Sequence, residues 1–145
     1  MVSGSGVDVL AAGVVLAVAV AAGTLAHELS HALALRSLGV PYTVEFTPDE
    51  DNAAAFGGSL AGRLASVRPT GRLDRLSPWR LRVVAVMPLT LVCPFVLVPL
   101  GVVPDPLSVG DPLVVAAVVG WAGCAIPSPG DFALVWYPGR ALDRQ

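Results

Sequence analysis

The chain has 145 residues, of which 54% are hydrophobic and only 14% charged, with a formal net charge of -2 and a mean hydropathy of +0.72. Soluble domains carry roughly 25% charged residues. The deficit excludes intrinsic disorder, a nucleic-acid binder with a basic face and a water-soluble globule with a charged surface, leaving a single membrane-embedded domain. All nine basic residues are arginine, and acids cluster at Asp49, Glu50 and Asp51 in an Ala/Val/Gly/Pro-rich background, a balance that resembles the proteins of extreme halophiles.

Three uncharged runs, residues 9–26, 83–103 and 112–130, approach or exceed the roughly 20 residues that cross a bilayer as helix. In the first, helical character continues through His27, Glu28 and His31 to Leu38, where Gly39 offers a stop. The pattern predicts one helix over about residues 9–38, long enough that one end projects or tilts. A cleavable secretory signal is not expected, because its positive flank is missing and the first basic residue is Arg36.

Residues 39–82 form an insert between the first and second spans. Residues 42–47 alternate as a short strand, and the acidic turn at 48–52 with Gly57 and Gly58 suggests a return over residues 60–67. The insert thus reads as a small β-hairpin. Ser77, Pro78, Trp79 and Arg80 lead into the second span at headgroup level, and Pro88, Pro94 and Pro99 are expected to kink it. The third span, over about residues 112–137, is interrupted by Pro127, Ser128, Pro129 and Gly130.

Arginine placement sets the orientation through the positive-inside rule. Arg63, Arg68, Arg72, Arg75, Arg80 and Arg82 lie between the first two spans, and Arg140 and Arg144 follow the third. The connection between the second and third spans carries Asp105 and Asp111 instead. The expected fold is a mainly α, multi-pass protein of the cell membrane with three transmembrane helices, an outside N-terminus, a cytoplasmic C-terminus and a cytoplasmic hairpin. Cys93 and Cys124 lie in apolar runs far from other ligand residues and read as small buried hydrophobes.

His27-Glu28-Leu29-Ser30-His31 is an HExxH motif. On a helix, positions i and i+4 share a face, so both imidazoles can reach one tetrahedral zinc ion, while Glu28 can act on its water. The chain has two histidines and three glutamates, and three of these five fall in one five-residue window inside a span. Ionisable groups at that depth mark function. A pair of polar residues satisfied within a bundle is the bland alternative.

A catalytic zinc takes three protein ligands, and no third histidine exists. Glu45 and Glu50 sit in the insert, and the other aspartates belong to span ends, loops or the tail. Asp131 follows the break in the third span. Counted from the outer face, His27 and Asp131 each lie about 30 Å in at 1.5 Å per residue, and the first and third spans run in the same direction. The two positions can therefore meet, although Asp131 can also be read as an interfacial anchor or a helix cap.

An HExxH on the first span with an aspartate after a Ser/Pro/Gly break on a later one resembles the site-2 protease type of intramembrane zinc metalloprotease. The chain resembles more closely a family of short, three- or four-span membrane zincins of unassigned function. The matching residues are His27, Glu28, His31, Ala32, Gly39, Pro88-Leu89 and Ser128-Pro129-Gly130-Asp131. Site-2 proteases proper follow their aspartate with glycine, whereas here Gly130 precedes Asp131 and Phe132 follows.

The expected activity is that of a zinc endopeptidase near the cytoplasmic membrane face, with His27, His31 and Asp131 as ligands and Glu28 moving the proton. Ser128 is a candidate for the oxyanion or for support of the ligands. The partners are the bilayer and a protein or peptide substrate that can itself be membrane-bound, presenting an extended backbone to the strand at residues 42–47; no nucleic acid is involved. Oligomeric state is not readable from the sequence. The alternatives are a non-catalytic zinc-binding membrane protein in which Glu28 only supports the ligands and a metal-free accessory subunit.

Overall fold

A computed structural model describes residues 4–46, 65–70, 77–108 and 110–138. Three helical stretches in it are long and apolar enough to cross a membrane, Asp8–Ser37, Pro78–Val96 and Pro112–Trp136. The chain fits a multi-pass membrane protein.

Helix α1, Gly4–Ser37, runs unbroken because its Ala, Val and Leu positions contain no proline to interrupt the backbone ladder. It ends at the expected glycine. Gly39 adopts φ 68, its N–H donates to Arg36 O at 3.1 Å, and the Val40 N–H donates to Leu35 O at 2.9 Å. This pair of bonds is a Schellman closure, and it folds Val40 back onto Leu35, Ala34 and Val84 in a buried cluster.

Two short strands follow, β1 (Tyr42–Phe46) and β2 (Ala65–Pro69), paired antiparallel with Val44 opposite Val67 and Tyr42 opposite Pro69. The acidic turn at 48–52, Gly57, Gly58 and the expected start of the return strand near Leu60 lie outside the described residues, so a closed hairpin gains no support. Arg63, Arg72, Arg75, Arg140 and Arg144, used above for orientation, also lie outside them.

Helix α2 covers Pro78–Val86, with Pro78 in the first turn where its missing N–H is harmless. The second span is therefore displaced from the expected 83–103 to Pro78–Val96. Absence of charge marks hydrocarbon, whereas a helix can begin among headgroups with Trp79, Arg80 and Arg82 already in it. At Met87–Val92 the backbone tightens to a 3-10 helix around the buried Pro88, then returns to α-helix in α3 (Cys93–Val96). The prolines change the helix type as well as its direction. Cys93 is exposed rather than buried, since an apolar run does not distinguish a lipid-facing side from a packed one.

Asp111 caps α4 (Pro112–Cys124) by accepting the Leu113 N–H at 2.8 Å. The chain then breaks and restarts as α5 (Pro129–Trp136). Helix α1 packs chiefly on α4, where glycines permit close approach. A Cβ at Gly120 would lie 2.9 Å from Ala19 Cβ and 3.1 Å from Leu16 O, and one at Gly23 would lie 2.9 Å from both Cys124 Cβ and Sγ. These contacts advance together along both helices, so α1 and α4 run in the same direction. The second span runs opposite, as the contacts Arg82 with Val135, Val84 with His31 and Leu91 with Trp121 require. Val9, Leu10, Val18, Val102, Ile126 and Trp136 point outward, an apolar surface suited to lipid.

Candidate metal centre

His27 and His31 lie on one face of α1, four residues apart, with ring centroids separated by 5.0 Å. Both are buried, at 5% and 9% exposure, and Asp131 is buried beside them at 6%. His27 Nε2 lies 3.5 Å from Asp131 Oδ2, His31 Nε2 lies 3.3 Å from Asp131 Oδ1, and the two Nε2 atoms are 3.3 Å apart. The residues chosen from sequence meet at one point.

The far side of each ring explains its orientation. His27 Nδ1 is 2.7 Å from the Cys124 carbonyl oxygen and His31 Nδ1 is 2.9 Å from that of Val84. A carbonyl only accepts, so each Nδ1 carries the hydrogen, and in the neutral ring each Nε2 is left as a lone pair aimed at its partners. Proline supplies both acceptors. Pro88 has no N–H to give Val84 O, which keeps a single backbone donor, Met87, and has a lone pair for His31. Beyond Cys124, Pro127 has no N–H, and the Ser128 N–H donates instead to Asp131 Oδ2 at 2.7 Å. The kink expected at Pro88 and the interruption expected at Pro127 do not by themselves reveal the two carbonyls; the available signal is a proline four residues after Val84 and three after Cys124.

Asp131 is held by the start of α5. Its N–H donates to Ser128 Oγ at 3.2 Å while its carboxylate takes the Ser128 N–H, a reciprocal capping box. Asp131 is thus both a cap partner and a member of the cluster, with Ser128 supporting it through Oγ and its own N–H. Glu28, half-buried on the adjoining face, accepts the Val67 N–H of β2 at 3.3 Å through Oε2.

Two imidazole lone pairs and a carboxylate facing one another repel unless a metal ion or a proton lies between them. The two Nε2 atoms, 3.3 Å apart, are close to the edge of about 3.3 Å for tetrahedral ligands bonded at about 2.0 to 2.1 Å, and Asp131 approaches His27 through Oδ2 and His31 through Oδ1. His27, His31 and Asp131 can hold a metal ion. No family model, curated protein or solved structure matches the chain.

Cys124 takes no part through its sulfur. Its Sγ lies 3.4 Å from Val20 O and 3.3 Å from Gly120 O, and the residue contributes through its carbonyl alone.

Proposed function

We propose that the chain is a membrane-embedded zinc endopeptidase of the short membrane zincin kind, in which His27, His31 and Asp131 hold the metal and Glu28 moves the proton. The observation that carries the reading is the convergence of two imidazole lone pairs and a buried carboxylate, with both ring tautomers fixed from behind. Zinc suits two nitrogens and one oxygen with a position left for water.

When bound, zinc lowers the pKa of a coordinated water toward about 7 and polarises a carbonyl. Glu28 follows the first ligand in the chain and takes one proton from the attacking water. Glu28 would then return that proton to the leaving amine as the peptide C–N bond breaks, the hydroxyl having been taken up at the carbonyl carbon. Burial of the cluster among three spans excludes bulk water and strengthens each electrostatic contact. The substrate is an extended backbone, and the strand edge nearest Glu28 is that of β2, not that of residues 42–47 as the alternating pattern suggests. With arginines flanking the second span, the site lies toward the cytoplasmic face and the N-terminus outside.

A second reading has one observation in its favour. The Glu28 bond to Val67 also suits a non-catalytic zinc protein in which the carboxylate ties the strands to α1. Glu28→Gln separates the two. Proteolysis of membrane-extracted protein substrates by the purified chain, abolished in Glu28→Gln with zinc content unchanged, supports the peptidase; wild-type zinc-loaded protein that cuts none of them favours the non-catalytic reading.

A further inference from the structure

The Val67 N–H that Glu28 occupies belongs to a particular edge. Val67 is opposite Val44, and because its N–H reaches Glu28 it does not bond β1. Thr70 donates to Pro41 O at 2.7 Å, so the even-numbered residues here turn toward β1 and the odd ones outward. Pro69 agrees: it has no N–H and takes an outward position, as proline does on an edge strand. Among the described residues the outer edge of β2 therefore faces α1 and Glu28, and of its outward residues 65, 67 and 69 Ala65 and Val67 have an N–H, that of Val67 being the one Glu28 takes.

An extended peptide that adds to this edge needs that hydrogen for one of its carbonyls. One N–H cannot fully serve two acceptors, and a carboxylate is the stronger of them. We infer that the Val67 N–H is a shared donor, held by Glu28 in the resting chain and passed to a carbonyl of the docking peptide, so that docking on β2 and release of Glu28 toward the metal are one event. The inference rests on the peptidase reading and adds to it a coupling between strand and base. Recognition at this point is of backbone, indifferent to the side chain opposite Val67.

The test uses the purified full-length chain in detergent and two probes, the capped pentapeptide acetyl-Ala-Val-Ala-Val-Ala-amide and its fully N-methylated twin, which cannot pair with a strand. Binding is measured by calorimetry to Glu28→Ala and Glu28→Gln, neither of which has the base to cut the probe. The glutamine variant keeps an acceptor for the Val67 N–H and the alanine variant does not. Glu28→Ala is expected to bind the pentapeptide about fivefold more tightly than Glu28→Gln, the worth of one neutral hydrogen bond. Adding Val67→Pro to either is expected to remove the preference for the pentapeptide over its twin, while Val67→Ala, which keeps the N–H, retains it. Equal affinity of Glu28→Ala and Glu28→Gln, with preference over the twin intact, overturns the shared donor alone. No preference over the twin in any variant overturns strand docking as well. Neither outcome bears on whether Glu28→Gln abolishes cleavage.

Discussion

His31 Nδ1 lies 2.9 Å from the carbonyl oxygen of Val84, the oxygen that a continuous helix would give to the N–H of residue 88. Pro88 has none. A residue in the second span thereby frees the acceptor that fixes the tautomer of a candidate ligand in the first, and a helix irregularity becomes part of the candidate metal centre.

Pro88→Ala restores the missing donor and lets it compete for Val84 O. Helix α2 is expected to extend through residue 88, and zinc affinity to fall by about 10-fold or more, the usual cost of losing support behind a ligating histidine. Zinc competition with a chromophoric chelator measures this. An unchanged affinity in a correctly folded variant removes the proposed role of the proline.

Asp131→Ala removes a proposed ligand, and Ser128→Ala only its support. The first is expected to weaken zinc binding well beyond 100-fold, and the second by about 10-fold, with about 1 kcal/mol lost from α5 through its cap. Ser128→Thr keeps a hydroxyl and is expected to stay near wild type. Equal effects of Ser128→Ala and Asp131→Ala contradict this ranking.

The α1 and α4 glycines predict a structural series. Gly120→Val and Gly23→Val place atoms where a Cβ alone would already lie 2.9 Å from neighbours, so both are expected to lower thermal stability by roughly 1 to 3 kcal/mol or more. The second also moves Cys124 O away from His27. Gly123→Ala, with nothing within 4 Å of its new Cβ, serves as the neutral control, and thermal unfolding in detergent distinguishes the three.

Much of the centre was legible because the chain is so poor in charge. His27, Glu28, His31 and Asp131 stand out against apolar spans, and the residue count from each span's outer end brings them to one depth. The helix stop at Gly39 and the break before Asp131 were legible for the same local reasons that form them. The onset of the second span was not, since Trp79 and the arginines are tolerated within a helix at the membrane surface. The Val84 and Cys124 acceptors escaped notice because backbone carbonyls leave no mark in composition, and the Val67 contact because it joins residues 39 apart through a strand that alternation alone did not bound.

X-ray absorption of the purified chain loaded with one equivalent of zinc tests the centre most directly. The expected spectrum has four nitrogen and oxygen neighbours at about 2.0 Å with two imidazole rings and no sulfur, and in Asp131→Ala the protein no longer retains the metal. A sulfur neighbour at about 2.3 Å, a single imidazole, or an Asp131→Ala spectrum identical to wild type would contradict a site built from His27, His31 and Asp131.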